Sequence, residues 1–157
     1  LIYSPFDGGI RDAAGYYFIP GPTDDVINVA GHRLGTREIE ECIASHPNVA
    51  EVAVVGVADS LKGQAAMAFA VVRDATALDS PEARLKLEGE VMKLVDHQLG
   101  AVARPARVHF VNVLPKTRSG KLLRRALQAV AEGRDPGDLT TMEDPAALQQ
   151  VRELLGR

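Results

Sequence analysis

The stretch from Leu114 to Lys121 brings together residue types that could do chemistry. Its sequence, Leu-Pro-Lys-Thr-Arg-Ser-Gly-Lys, contains three cations, two hydroxyl groups and a glycine. An ammonium group beside hydroxyls and unpaired backbone N–H groups can bind a phosphate or another anion. The spacing differs from the Gly-x-x-x-x-Gly-Lys of a Walker phosphate loop. The residues alone leave two interpretations open: an anion site around Lys121 and a solvated surface turn.

The flanking segments predict how this stretch is positioned. The apolar run 108–113 before it is typical of a strand, and the pattern 122–127 after it is typical of a helix. Pro115 and Gly120 interrupt regular hydrogen bonding between the two segments. We therefore expect a strand-to-helix loop that presents Lys121 near a helix N-terminus.

The elements upstream predict the fold class. We predict five elements in chain order: a helix capped by Thr36 that extends to about His46, strands at 49–57 and 65–72, a helix that begins at Ser80-Pro81 and ends at Gly100, and a strand at 107–113. In the first helix we expect one apolar face to be buried, formed by Ile39, Cys42 and Ile43. The glutamates Glu38, Glu40 and Glu41 are expected to stay in solvent. We predict an α+β fold: a small domain with a three-stranded sheet packed by helices, preceded by a short hairpin-like hinge segment.

Two motifs in this chain resemble those of a known enzyme family. The run 115–125, Pro-Lys-Thr-Arg-Ser-Gly-Lys-Leu-Leu-Arg-Arg, resembles the C-terminal signature of the adenylate-forming acyl-CoA synthetases, especially the acetyl- and propionyl-CoA synthetase branch. The run 23–36 resembles the hinge and following loop of the same family, and the two motifs occur in the family's order. The similarity extends from about Asp7 to the end of the chain.

The resemblance implies roles for five residues. Lys121 matches the lysine that acts in the adenylation of the carboxylate substrate. Gly31 matches a glycine that lines the tunnel for the pantetheine arm of coenzyme A, and Arg33 an arginine that contacts a nucleotide phosphate. Asp7 matches an aspartate that binds the ribose of ATP, and Asp24 matches the hinge residue about which the small domain rotates between the two half-reactions.

Cofactors and partners follow from the same resemblance. ATP, coenzyme A and Mg²⁺ are the expected cofactors, and the acetyl-CoA branch suggests a magnesium site at His46 with the backbone carbonyls of Ala44 and Val49. One imidazole and two carbonyls are a poor ligand set for a hard cation. The expected partners are the protein's own large N-terminal domain and a short-chain carboxylate, with a lysine acetyltransferase and deacetylase acting on Lys121.

The resemblance also divides the chain. Residues 1–23 are expected to be the end of the large domain and the hinge approach, 24–132 the C-terminal lid domain, and 133–157 a linker and C-terminal helix. The last segment resembles the propionate–CoA ligase branch more than the acetate branch. Since family members are several times longer, we expect a fragment that is inactive alone.

Three positions depart from the family pattern. Pro22 and Asp96 stand where the family has arginines that contact ATP and a coenzyme A phosphate, and Ala30 replaces a serine that binds coenzyme A. An aspartate would repel a phosphate, so no coenzyme A site is expected at Asp96.

Composition restricts the alternatives. A net charge of −3 and 4% aromatic residues, with none in 116–125, argue against a nucleic-acid partner. No apolar run reaches the ~18 residues of a membrane helix, and the single Cys42 excludes an internal disulfide, which fits a cytoplasmic protein. The alternatives to a propionate-type ligase are an acetate–CoA ligase fragment, a free anion- or nucleic-acid-binding module, and a non-catalytic protein-interaction module.

Overall fold

The computed structural model describes residues 26–61, 63–137 and 139–156. Within them the chain forms a mixed sheet with helices on both faces. The elements are β1 (Val26–Val29), β2 (His32–Gly35), α1 (Thr36–Ala44), β3 (Val49–Asp59), β4 (Gly63–Val72), α2 (Pro81–Leu99), β5 (Arg107–Phe110), α3 (Arg124–Ala131) and α4 (Ala146–Leu155). No helix in the described ranges is both long enough and apolar enough to cross a membrane.

A long antiparallel ladder joins β4 to β3, which forms one edge of the sheet. It runs from Val49 opposite Val72 to Asp59 opposite Gly63, with an irregularity between Val49 and Glu51. On the other side of β4, β5 pairs in parallel, with Ala70 opposite Phe110 at the end of the ladder. A parallel neighbour needs a crossover connection, which α2 supplies.

The β1–β2 hairpin extends this sheet. Val29 of β1 pairs with Gly63 at the beginning of β4, so the predicted three strands become five. Close approach is possible because residue 56 of β3 is glycine. A Cβ there would lie 2.4 Å from Ile27 Cγ2, well inside van der Waals contact. The predicted α+β class is confirmed, and the hinge hairpin is continuous with the sheet.

Apolar residues cover both faces of the sheet, and the two cores are separate. Val54 of β3 packs on the side of α1 and α2, together with Ile39, Ile43 and Val91. Its neighbours Ala53 and Val55 pack on the side of α3 and α4, with residues that include Phe69, Leu127, Leu148 and Val151. Successive side chains of a strand point to opposite faces, so a strand buried on both sides reads as the continuous apolar run seen at 52–57.

The predicted ends of α2 are confirmed, whereas the predicted cap of α1 and the predicted end of the last strand are wrong. Ser80 Oγ accepts a hydrogen bond from the Ala83 backbone N–H at 3.1 Å, and Gly100 ends α2 as predicted. Thr36 is not the cap of α1: Gly35 takes that position, and Thr36 is the fully buried first residue of the helix. The predicted strand 107–113 ends at Phe110.

Candidate functional site

The lysine loop, residues 114–123, is a tight hairpin. The Thr117 N–H donates to the Lys121 carbonyl at 2.8 Å, and the Gly120 N–H donates to the Thr117 carbonyl at 2.8 Å. Lys116 and Leu122 form an antiparallel bridge below this turn, and Gly120 has a φ of +90°. Lys121 therefore lies on the returning arm of a closed turn. The sequence predicted a strand-to-helix loop with Lys121 near a helix N-terminus, and the following helix begins at Arg124, three residues after Lys121.

The two hydroxyl groups of the motif shape this turn. Thr117 Oγ1 accepts a hydrogen bond from the Lys121 backbone N–H at 3.1 Å and lies 2.9 Å from Ser119 Oγ. The side chains of Arg118 and Lys121 are exposed, and neither has an ion-pair partner among the described residues. The turn is thus held by backbone and hydroxyl contacts, and the Lys121 ammonium is available for a substrate.

Both ends of the lysine loop are attached to the sheet. On the incoming side Lys116 Nζ pairs with Glu51 of β3, and Leu114 and Pro115 are buried. On the outgoing side Arg124 pairs with Glu40 of α1, and both side chains are about 15% exposed. Glu40 was expected to stay in solvent with Glu38 and Glu41; that expectation was wrong for Glu40, because Arg124 and the Val54 N–H both bind its carboxylate.

The C-terminal tail returns to the same loop. Thr117 forms an antiparallel bridge with Met142, and the Glu143 N–H donates to the Lys116 carbonyl at 2.9 Å. Met142 is 3% exposed and packs in the core that Leu148 and Val151 complete. The described part of the tail thus contacts the lysine loop through one isolated bridge and one backbone hydrogen bond. The predicted boundary at residue 133 stays a prediction.

The hairpin tip, Ala30-Gly31, is the second motif region. The φ angles of Ala30 and Gly31 are +51° and +84°. Val29 and His32 face each other as the last pair of the ladder before the turn. Two consecutive positive φ angles in a two-residue loop are typical of a type I′ turn, which favours glycine or asparagine. Nothing lies within 4 Å of where a Gly31 Cβ would stand, so the surface beside Gly31 is open. Arg33 is exposed two residues further on.

The two motif regions are attached to different parts of the β3–β4 ladder. The hairpin joins β4 at Gly63, whereas the lysine loop is paired to Glu51, which stands opposite Val71. The outgoing end of the loop is tied through Arg124 to Val54, which stands opposite Ala68. At roughly 3.4 Å per residue, Val71 and Ala68 lie about 27 Å and about 17 Å along β4 from Gly63. The two motif regions therefore have separate attachment points on the sheet.

The predicted magnesium site at His46 does not fit the side-chain arrangement. His46 Nδ1 accepts a hydrogen bond from the Asn48 N–H at 3.1 Å, so Nε2 carries the proton and donates to Glu90 Oε1 at 2.9 Å. Both ring nitrogens are therefore occupied by protein contacts. Within the described residues no group of three His, Cys, Asp or Glu side chains could hold a metal ion. The site with Ala44 and Val49 stays a prediction.

Two other reactive side chains lie in the core. Cys42 Sγ is 3.6 Å from the Leu94 carbonyl, and burial raises the pKa of its thiol, which disfavours the nucleophilic thiolate. The His109 ring stacks on Phe69 with 5.4 Å between ring centroids, and its Nε2 is buried without a partner. Burial, assisted by Arg107, holds the pKa of this imidazole below its ordinary 6.5.

Comparison with known proteins shows the family of the chain. Residues 38–121 match the family described as AMP-binding enzyme C-terminal domain, and this match covers more than half of the chain and ends at Lys121. The chain belongs to this family. AMP-binding C-terminal domains of solved structures share its fold: an acyl-CoA synthetase from Brucella canis superposes with a TM-score of 0.56 at 39% identity, over 68% of this chain and 18% of that chain.

The relatives of this AMP-binding C-terminal domain are much longer proteins. The chain is 64% identical to a propionate–CoA ligase of Salmonella typhimurium over 98% of its own length and 24% of the relative. It is 47% identical to an acetyl-coenzyme A synthetase of Pyrobaculum aerophilum over 93% of its length and 21% of the relative. The chain thus spans about a quarter of the length of the curated relatives it matches.

Some predicted site residues of the AMP-binding C-terminal domain lie outside the described ranges. Two residues next to the lysine loop in the structure were not predicted from the sequence to have a role. Asp7, Asp24 and Pro22 lie outside the described residues. Glu40 and Arg124 were not assigned a role. A signal existed: Glu40 is four residues after the buried Thr36 and three before the buried Ile43, so it lies on the buried side of α1.

Proposed function

We propose that this chain is the rotating C-terminal domain of an AMP-forming acyl-CoA ligase of the propionate type. The full-length enzyme would convert ATP, a short-chain carboxylate and coenzyme A to acyl-CoA, AMP and pyrophosphate. The observation that carries the proposal is Lys121: it is an exposed cation without an ion-pair partner among the described residues, on a turn tied down at both ends. The higher identity to a propionate–CoA ligase than to acetyl-coenzyme A synthetases favours propionate over acetate.

Lys121 would act in the first half-reaction. A carboxylate attacks the α-phosphate of ATP, pyrophosphate leaves, and negative charge accumulates on the transferring oxygens. A positioned ammonium neutralises part of that charge. Charge-assisted hydrogen bonds contribute about 1.5–3 kcal/mol each. Two that strengthen in the transition state would accelerate the step by on the order of 10²–10⁴.

Gly31 and Arg33 would act in the second half-reaction, in which coenzyme A takes the acyl group. The open space beside Gly31 would admit the pantetheine arm, and the exposed guanidinium of Arg33 suits a nucleotide phosphate. Since this hairpin and the lysine loop have separate attachment points on the β3–β4 ladder, the domain would turn to present each in its step. Asp24 is the proposed hinge, because a hinge is a short segment that absorbs a large backbone change.

The remaining assignments rest on the same proposal. ATP and coenzyme A are the cofactors, and Mg²⁺ would accompany the ATP phosphates, without a role for His46. The large N-terminal domain, with Asp7 at its end, would supply the carboxylate pocket. Acetylation of Lys121 by a lysine acetyltransferase would remove its charge and stop adenylation, and a deacetylase would restore it. The exposed side chain is accessible to such enzymes. A cytoplasmic location stays a prediction.

A domain replacement tests the proposal. This chain replaces the C-terminal quarter of the Salmonella propionate–CoA ligase, and propionate-dependent pyrophosphate release is measured beside Lys121→Ala and the matched control Arg118→Ala. We expect release that depends on Lys121 and tolerates the loss of Arg118. Release that survives Lys121→Ala would contradict the proposal. The acyl preference is read separately in the full-length protein that carries this chain, with propionate and acetate as competing substrates.

A further inference from the structure

The carboxylate of Glu40 joins three elements. Arg124 binds it in a bidentate way, with one nitrogen on each oxygen, the second contact being 3.2 Å. The same carboxylate accepts the Val54 N–H at 2.8 Å, and Arg124 Nη1 also donates to the Val54 carbonyl at 2.7 Å. The two side chains are 14% and 15% exposed. The beginning of α3 is therefore clamped to α1 and to the outer edge of β3 at one point.

This clamp lies directly after the lysine loop. Only Leu122 and Leu123 separate Lys121 from Arg124, and the Leu123 N–H donates to the Pro115 carbonyl at 2.9 Å. A shift of Arg124 would therefore be passed to the arm of the hairpin that carries Lys121.

The rest of α3 has attachments of its own. Gln128 Nε2 donates to the Gly56 carbonyl at 2.6 Å, and Glu132 accepts the Ala58 N–H at 2.7 Å. With Arg124 these residues are spaced four apart along one face of α3, each bonded to the β3 edge. Loss of the Glu40–Arg124 contact would thus leave the body of the helix in place and release its first turn and the lysine loop.

A second clamp of the same chemistry stands on another strand. Glu88 of α2 accepts the Val108 N–H of β5 at 2.8 Å and pairs with Arg107 Nε at 3.1 Å. Like Glu40, it is a largely buried helix glutamate that serves one backbone N–H and one arginine. It is not adjacent to Lys121 in the chain, which makes it a matched control for the effect of removing such a clamp on stability alone.

We propose that Glu40 and Arg124 are positioning residues for Lys121 in the adenylation step. This inference rests on the proposed function. The physical reason is that an ammonium stabilises developing charge only when it is held at the reacting oxygens, and a displacement of about 1 Å can cost on the order of 10²-fold in rate. The clamp sets the position of the lysine loop without contacting the substrate.

The experiment separates the two half-reactions in the full-length ligase that carries this chain. Adenylation is followed as propionate-dependent pyrophosphate exchange, and thioester formation is followed from preformed propionyl-adenylate and coenzyme A. For Glu40→Gln and Arg124→Lys we expect kcat of adenylation to fall about 10- to 100-fold, with thioester formation within about twofold of the parent. Glu88→Gln should lower Tm comparably and change neither half-reaction selectively. The conservative Arg124→Lys keeps a cation and reports on the clamp if Glu40→Gln does not fold.

A double variant distinguishes positioning from general damage. In the Lys121→Ala background, Glu40→Gln should have no further effect on adenylation, because the group that it positions is gone. Equal loss of both half-reactions, an adenylation loss as large in Glu88→Gln, or full additivity with Lys121→Ala would each overturn the inference. If Lys121→Ala itself leaves adenylation intact, the proposed function falls, and the positioning role with it. If Lys121→Ala abolishes adenylation and the clamp variants do not, only the positioning role falls.

Discussion

The lysine loop and the β1–β2 hairpin are held in opposite ways. The lysine loop depends on distant partners: Glu51 of β3, Glu40 of α1 through Arg124, and Met142 of the tail. The hairpin depends on its own two-residue turn and on contacts with β4, namely Val29 with Gly63 and the Asn28 N–H with Gln64 Oε1 at 2.8 Å. Besides its own turn contacts, the lysine loop is fixed by long-range side-chain contacts, whereas the tip of the hairpin is shaped by local turn geometry. Substitutions far away in sequence should therefore disturb the lysine loop, and substitutions within the turn should disturb the hairpin.

The largest expected effect is at the end of the lysine loop. Lys121→Ala removes the only part of this loop that the proposed chemistry uses, and adenylation should fall by on the order of 10²–10⁴. Thioester formation from preformed acyl-adenylate should be unchanged, because it would use the hairpin. The measurement is the ratio of the two half-reaction rates in the full-length ligase. Equal losses in the two half-reactions would contradict the assignment of the lysine loop and the hairpin to different steps.

Met142 tests whether the lysine loop depends on the tail. Met142→Ala removes a buried side chain and should lower the free energy of unfolding by about 2–5 kcal/mol, measured by urea denaturation. Amide hydrogen exchange at Thr117 and Glu143 should accelerate, because both N–H groups are bonded within or to the loop. The control is Leu85→Ala, since Leu85 is 66% exposed and its loss should change stability little. Unchanged exchange at Thr117 would show that the loop is independent of the tail.

At the hairpin tip, one substitution should lower the free energy of unfolding and another should raise it. Gly31→Ala places a Cβ at a φ of +84°, which should cost roughly 1–2 kcal/mol. Ala30→Asn should stabilise the turn by several tenths of a kcal/mol, since asparagine tolerates this region better than alanine. Urea midpoints of both variants give the comparison. Gly31→Ala should leave adenylation unchanged, whereas a strong loss of adenylation would mean that the two regions are not separable.

The smallest expected effect is the pH dependence through His109. Its folded-state pKa lies below the ordinary 6.5, so in the window between the two values the unfolded chain binds a proton that the folded chain does not. Stability should therefore be constant above about pH 6.5 and fall as the pH drops through that window. His109→Phe should flatten this fall in the urea midpoint, and the exposed His97→Gln should not. An unchanged slope in His109→Phe would assign the acid sensitivity to other groups.

Local signals in the sequence predicted many elements correctly. The continuous apolar, β-branched run of β3, the Ser80-Pro81 start of α2 and its Gly100 end depend on neighbours within a few residues. They can therefore be recognised without the fold. Boundaries failed where distant contacts compete: the apolar run 107–113 ends its pairing at Phe110, and Gly35 takes the cap position expected for Thr36.

By itself the sequence determined the chemistry that this chain can offer: one cationic turn with Lys121, one glycine turn at Gly31, and strands and helices of the α+β class. Only the tertiary structure decided that Glu40 binds Arg124, that Met142 returns to the lysine loop, and that the hairpin joins β4 whereas the lysine loop is tied to β3. The physical reason is that a glutamate on a helix is equally compatible with water and with an arginine. The choice is made only when folding brings the partner and a backbone N–H to the same point and removes the water.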